Sequence, residues 1–285
     1  MEPIVRSLES RPAITAASSV FRRFSPETER PVRTHRIESG TVLGAMKIAW
    51  EGSRLSKPDG KIEDQKAYGG MLERISRLGY TAKDVEGFSI ALEEYQAMED
   101  FSKKAGYFLS ALVNGCEDNG FTIHTSHLAK PIEGIGYRNT KTITVDGCVG
   151  ENVGLDMEGG LISVDGNADK CAGIRMRCGK IIVRGDAGNC AGYQMKGGRL
   201  VVEGNASYSL GTDMEGGTIL VEGDADKNIA NRMKGGKLVV RGKTDGFCGE
   251  MMTGGEVHLF GSLFIWAGGV ERGKIFHRGI LVVSK

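Results

Sequence analysis

The amino-acid sequence predicts a mostly β protein, a right-handed parallel β-helix of about seven coils with 19 residues in each. Three observations predict this fold. A methionine and two glycine positions recur every 19 residues, a short apolar run recurs in phase with them, and no helical segment separates the copies. Repetition at one fixed period is typical of a solenoid, in which each repeat packs on its neighbours.

Three registers mark the repeat. The methionines are Met157, Met176, Met195, Met214, Met233 and Met252. The first glycine register is Gly147, Gly166, Gly185, Gly204, Gly223, Gly242 and Gly261. The second glycine register runs from Gly154 to Gly268, with Ala230 as its exception. We expect the methionines to fill the interior. The first glycine register should form structural turns, with positive φ angles and close approach between coils.

The apolar runs, such as KIIVR, RLVVE and TILVE, are bounded by Gly-Gly before and Gly-Asn or Gly-Asp after. Each run therefore predicts a strand between two turns. Alternate side chains of a strand share one face, so one set of apolar residues points inward and the set between them points outward. The outward set is Ile182, Val201, Leu220 and Val239. Four stacked aliphatic side chains are rarely left in water, so we expect an interface there, covered by the N-terminal segment or by another subunit.

A row of charged residues follows the strands. It contains adjacent carboxylates, Asp146/Asp165 and Glu203/Glu222, with Arg184 and Arg241 between or beside them. Paired carboxylates can carry out acid–base chemistry on a sugar. The alternative is a solvated ladder of ion pairs, which we prefer because opposite charges alternate along the row.

The repeat unit, G-[ND]-A-x₄-G-x₂-M-x-G-G-x-[IL]-x-V, resembles the glycine-motif β-helix domain at the C-terminal end of the glutamate synthase large subunit. The same domain type forms the β-helix subunit of formylmethanofuran dehydrogenase and of related formyltransferase/hydrolase complexes. The match covers the chain from about Ile132 onward. The resemblance implies a structural domain that braces catalytic domains or subunits and holds no catalytic residue or cofactor. Glu271 replaces the methionine of the last coil, and the first turn, at Gly136, is one residue out of phase.

We divide the chain into three parts. Residues 1–36 contain seven arginines, no lysine and four prolines, which predicts a basic, flexible arm. A transit peptide is the alternative, although four glutamates argue against it. Residues 37–119 should be mainly helical, with helices over 61–79 and 84–114 that pack on the solenoid or cap it. The second helix should start at Asp84 and stop at Gly115. Residues 120–285 should form the β-helix, entered through two strands, FTIHTSHL and KTITVDG.

Few residues suggest chemistry. None of the six cysteines forms a C-x-x-C pair, and Cys171 and Cys190 should be neighbours in adjacent coils as structural thiols.

His124 and His127 should lie on opposite faces of a strand, which weakens a shared metal site. His258 and His277 are one coil apart and should stack as a surface or cap pair. Corner residues Asn167, Asp186, Asn205 and Asp224 should form a hydrogen-bonded ladder. We therefore expect no catalytic, cofactor-binding or metal-binding residue.

The composition excludes some classes of function. The net charge is +1 and no apolar run is long enough to span a membrane, so we expect neither a nucleic-acid nor a membrane partner. Without a recognisable export signal, a cytoplasmic location is the expectation.

The preferred function is a non-catalytic scaffold in a glutamate synthase-like complex, with amidotransferase and FMN/iron–sulfur synthase subunits as partners. Alternatives are the role of the β-helix subunit in a formylmethanofuran dehydrogenase or formyltransferase/hydrolase complex, a β-helix enzyme acting on carbohydrate, and a homo-oligomer joined through the aliphatic face.

Overall fold

The computed structural model describes residues 41–55, 64–266 and 269–284. They form a β-solenoid of about eight turns with coils of about 19 residues, preceded by four helices. The predicted fold class is therefore confirmed, with about one turn more than expected. The predicted basic arm, residues 1–36, lies outside the described residues.

The helical region contains one helix that the sequence did not predict and one predicted helix that is interrupted. The helices are α1 (Thr41–Gly52), α2 (Asp64–Ile75), α3 (Ala82–Ala91) and α4 (Phe101–Gly115), with a 3₁₀ turn (Leu92–Tyr95) after α3.

The prediction of one continuous helix over 84–114 is wrong. α3 begins earlier because Thr81 and Asp84 form a capping box around its first turn. After α3 the α-helical hydrogen-bond pattern is interrupted, because Met98 N–H donates to Tyr95 O, only three residues back. Apolar residues keep a helical spacing through this break, so the sequence pattern does not reveal it.

The helices share one aromatic core. Trp50 of α1 is fully buried, and its ring centroid lies 5.5 Å from that of Phe108 of α4 and 6.1 Å from that of Phe88 of α3. α4 also approaches the loop before the second strand very closely. A Cβ atom on Gly106 would lie 1.6 Å from the carbonyl oxygen of Glu133, so only glycine fits there.

Helix α3 lies against the first strand of the solenoid, β1 (Gly120–His124). Ser89 Oγ of α3 accepts a hydrogen bond from His124 N–H at 3.1 Å. The helix thereby satisfies a backbone donor at the edge of the sheet, where an unpaired strand could otherwise pair with another chain.

One ten-stranded sheet runs the length of the solenoid. After β1 its strands are β2 (Thr142–Asp146), β3 (Leu161–Val164), β4 (Lys180–Val183), β5 (Arg199–Val202), β6 (Thr218–Val221), β7 (Lys237–Val240), β9 (Glu256–Leu259), β11 (Lys274–His277) and β12 (Ile280–Ser284). β8 (Thr244–Phe247) and β10 (Leu263–Trp266) form a separate parallel pair. From β2 to β9 residues of the large sheet pair in register across coils, as Ile181 does with Leu200.

The solenoid interior is apolar and fully buried. All six methionines of the repeat have 0% exposure, as do Ile181 and Val183 of β4 and their counterparts in the neighbouring coils. A second line of contact lies four residues after the end of each strand, where Ala168, Ala187, Ala206 and Ala225 form isolated parallel bridges. The predicted inward phase of the strands and the methionine stack are both confirmed.

Most glycines of the first register are required for their close contacts and not for a positive φ angle, which was also expected. Only Gly147 has a positive φ, 126°, and the other six do not. Their need for glycine comes from close approach between coils. A Cβ on Gly204, for example, would lie 2.4 Å from Asp186 Oδ1 and 2.7 Å from the Gly185 carbonyl. Positive φ angles occur instead in the second glycine register, as at Gly211 (67°), and at the glycine before each of β3 to β7, β9 and β11.

Candidate functional site

The predicted outward row lies in register along the middle of the large sheet. Ile182 pairs with Val201, Val201 with Leu220, and Leu220 with Val239, so each side chain stacks on the next. All four are half-buried. We call these four residues the aliphatic stripe. The helices described above pack at β1, three strands away from the nearest member of the stripe.

The same row continues beyond the aliphatic stripe with aromatic rings. Val239 pairs with His258, and His258 with Phe276. The rings of His258 and Phe276 stack with centroids 4.5 Å apart and planes 8° apart. Sequence reasoning missed this extension because Phe276 is 18 residues after His258, one short of the period.

The predicted stack of His258 on His277 is therefore wrong. The final coil is one residue shorter, which pairs His277 with Leu259 instead. His277 Nε2 lies 3.0 Å from Gly261 O, and His258 Nε2 lies 3.2 Å from a carboxylate oxygen of Glu256.

A row of basic residues borders the stripe on the side where the strands begin. Lys180, Arg199 and Lys237 are exposed, and Thr218 stands between the last two. None of the three cations makes an ion pair with any residue that the structure describes. We call these three residues the basic row.

The opposite border, where the strands end, is largely neutralised. Arg184 Nε lies 3.0 Å from an oxygen of Asp165, and Arg241 Nε lies 2.8 Å from an oxygen of Glu222. Asp146 is engaged by His124. The carboxylates that could suggest a sugar-cleaving pair are thus held mainly in ion pairs, as the alternating charges indicated.

A groove of about 450 Å³ opens at the end of the stripe. It is lined by Lys237, Val239, Arg241, His258 and Phe260. Phe260 is 45% exposed, which is unusual for a large aromatic side chain. The groove joins the aliphatic stripe, the basic row and the ion-paired border.

His124 and His127 do not lie on opposite faces of one strand, because β1 ends at His124 and the chain turns there. Both rings face α3. His124 lies 3.0 Å from Glu86 and 2.9 Å from Asp146, while His127 contacts the carbonyl of Ile90 at 3.1 Å. Burial alone would lower the pKa of His124, but the two carboxylates outweigh it and raise the pKa.

The six cysteines are all free. Cys171 and Cys190 are neighbours in adjacent coils, as expected. Burial, followed by the neighbouring Cys190, raises the pKa of the Cys171 thiol to about 11. A thiol that ionises so poorly is a weak nucleophile and a weak metal ligand.

The predicted corner ladder forms between side chains and backbone. Asn167 Oδ1 accepts from Asp186 N–H at 2.8 Å, Asp186 Oδ1 accepts from Asn205 N–H at 2.7 Å, and the pattern continues through Asp224 to Lys243. The polar side chains of these turns are thus used in hydrogen bonds between coils.

Within the described ranges, no cluster of three His, Cys, Asp or Glu side chains has a geometry suited to a metal ion. In the same part of the chain, no helix has the length and apolarity needed to cross a bilayer.

Comparison with protein families agrees with this geometry. Residues 95–280, more than half of the chain, match the model described as the GXGXG motif. The chain belongs to the GXGXG motif family. The resemblance inferred from the repeat is thereby confirmed, and the matched range of the GXGXG motif covers α4 and nearly the whole solenoid.

A comparison with curated proteins gives no significant match to this GXGXG motif protein. Among solved structures, it is similar to a chain in the formyltransferase/hydrolase complex (FhcABCD) from Methylorubrum extorquens, determined with methylofuran. The identity is 31% over 52% of this chain, with a TM-score of 0.46. The matched region spans 58% of that other chain, so the present chain covers little more than half of its relative's length.

Proposed function

We propose that this protein is a non-catalytic structural subunit that holds catalytic subunits together in a multi-subunit enzyme. The observation that supports the proposal best is the aliphatic stripe, which presents four stacked apolar side chains on an outward sheet face. A sheet face of this kind is a typical place for another protein to dock.

The chemistry of the rest of the molecule supports a structural role. Three of the four candidate carboxylates, Asp146, Asp165 and Glu222, are engaged in ion pairs. The polar corner atoms bond between coils, and the Cys171 and Cys190 thiols are half-buried. A β-helix enzyme acting on carbohydrate would need free carboxylates facing an open groove. The groove beside the stripe is lined instead by cations and apolar side chains.

Two kinds of complex follow from the family resemblance, and they differ in their partners. One contains an amidotransferase and an FMN/iron–sulfur synthase subunit, as in glutamate synthase. The other contains formyltransferase/hydrolase or formylmethanofuran dehydrogenase subunits. Identification of the co-purifying chains separates these two complexes.

The test is purification of the tagged protein from its native host at low salt, followed by mass spectrometry. We expect catalytic subunits in stoichiometric amounts. Val201→Asp should abolish their recovery while leaving the solenoid folded by circular dichroism. The matched control is Tyr208→Asp, which places the same charge on a residue outside the stripe that is 44% accessible, and should retain the partners. Recovery of the chain alone, or unfolding of isolated Val201→Asp, would contradict the proposal.

A further inference from the structure

The aliphatic stripe and its two borders indicate the shape and charge of the partner segment that would bind there. We propose that the partner element is an amphipathic α-helix of another protein that lies along the solenoid axis; this inference rests on the proposed function. Its apolar face would cover the stripe, and acidic residues along one flank would face the basic row.

The spacing of the stripe favours a helix. Neighbouring parallel strands lie about 4.8 Å apart, so the four side chains stand at about 0, 4.8, 9.6 and 14.4 Å along the axis. An α-helix rises about 1.5 Å per residue, which places positions i, i+3, i+7 and i+10 at about 0, 4.5, 10.5 and 15 Å. The two series agree to within about 1 Å. An extended strand repeats its side chains every ~6.6 Å on one face and loses this match after one step.

The width of the site also fits a helix. The basic row and the ion-paired border are separated by four residues of extended strand, which is about 13 Å. A helix with its side chains is about 10–12 Å across. A helix therefore fits between the two borders, and only one of them carries cations that are unpaired among the described residues.

Charge complementarity decides the chemistry of the partner. The ion-paired border offers no free cation among the described residues, because Arg184 and Arg241 are held by carboxylates. Glu203 of the same border makes no ion pair with a described residue and adds a negative charge there. Lys180, Arg199 and Lys237 are exposed and unpaired with any described residue. A helix with Asp or Glu along the flank over these three residues would gain favourable pairs that a neutral or basic helix would not.

The same charge argument disfavours the other possible occupants. Residues 1–36 of this chain carry seven arginines against four glutamates, so they would face the basic row with a positive excess. A second copy seated face to face would place its own basic row against this one, or against the opposite border, where Glu203 is the one carboxylate of that row without an ion pair to a described residue. Neither occupant supplies a free carboxylate for each of the three cations.

The first arm of the test is zero-length carbodiimide crosslinking of the purified complex, which joins lysine amines to carboxylates in contact. We expect crosslinks from Lys180 and Lys237 to Asp or Glu in a partner segment with apolar residues at i, i+3, i+7 and i+10. Crosslinks to residues 1–36 of this chain, to a second copy, or to a segment without that pattern would overturn the inference.

The second arm is charge reversal. The variant K180E/R199E/K237E should weaken partner retention on the order of tenfold at low salt, with a smaller effect at high salt. The control R177E/K196E/K243E changes the net charge equally at exposed positions outside the strands and should retain the partner. Equal retention by both variants would overturn the inference while a recovered complex still supports the structural role. Recovery of no partner at all would instead refute the proposed function.

Discussion

Alanine substitutions at Gly204 and Gly211 should destabilise the protein in the opposite order to the one that the φ angles of these glycines alone predict. Gly211 has a φ of 67°, a conformation that normally favours glycine, whereas Gly204 has no positive φ. Backbone strain alone would therefore make Gly211→Ala the more damaging change. The contacts around the added methyl group indicate the reverse order.

At Gly204 the new Cβ meets groups that cannot move away cheaply. It would lie 2.4 Å from Asp186 Oδ1 and 2.7 Å from the carbon and oxygen of the Gly185 carbonyl. Relief requires the Asp186 carboxylate to leave Asn205 N–H, a 2.7 Å bond, and the coils to separate where Gly204 N–H donates to Gly185 O at 3.1 Å. Loss of two hydrogen bonds and local strain should cost about 2–4 kcal/mol.

At Gly211 the new Cβ meets only side chains, with Leu238 Cδ1 nearest at 2.7 Å. A rotamer change of Leu238 costs about 0.5–1.5 kcal/mol. The left-handed conformation adds about 1 kcal/mol for alanine. Alanine is already accepted in this register, because Ala230 has a φ of 55° one coil later. The total should be about 1.5–2.5 kcal/mol.

The assay is thermal unfolding of each variant followed by far-UV circular dichroism. For a protein of this size a destabilisation of 1 kcal/mol lowers the melting temperature by about 2–4 °C. Gly204→Ala should therefore melt below Gly211→Ala. The reasoning is refuted if Gly211→Ala melts at the same temperature as Gly204→Ala or below it.

Three further predictions concern the ladder, the helix contact and the thiols. Asn205→Ala removes the acceptor for Asp224 N–H and should lower the free energy of unfolding by about 1–2 kcal/mol, whereas Asp186→Asn keeps its acceptor and should stay within about 0.5 kcal/mol in urea titrations. Because the folded-state pKa of His124 is raised, its charge stabilises the fold fully below about pH 6.5, and this stabilisation is lost as the pH rises through the raised pKa. The stability difference between wild type and His124→Gln should thus be larger at about pH 5.5 than at about pH 9, and a difference independent of pH would contradict it. With a pKa of about 11, Cys171 should react with iodoacetamide far more slowly than exposed Cys178. Mass spectrometry of the alkylated peptides should show Cys178 modified first, and equal rates for the two thiols would contradict the prediction.

The solenoid was predictable because its physics is local and repeated. Each coil repeats the same strand, the same methionine and the same turn, so the inward and outward phases follow from period alone. The aliphatic stripe follows from the same alternation at Ile182 and its three counterparts. The corner ladder was also predictable, since short polar side chains recur where the turns stack.

The parts that sequence reasoning missed depend on departures from the period or on contacts across it. The stack of His258 on Phe276 follows from a final coil that is one residue short. The glycine at position 204 is required by the Asp186 side chain of the previous coil, which φ preferences do not reveal. The contacts of Glu86 and Asp146 with His124 join residues from three elements, and their one sequence signal was His124 itself, in a predicted strand.

The proposed role of this chain is that of a structural subunit bound to other proteins through the aliphatic stripe. Native mass spectrometry of the particle purified from its host tests the claim most directly. We expect a particle heavier than the 30.6 kDa chain by the mass of at least one different catalytic subunit, and a mass of 30.6 kDa for Val201→Asp. A wild-type particle made only of this chain, at 30.6 kDa or a multiple of it, would contradict the account.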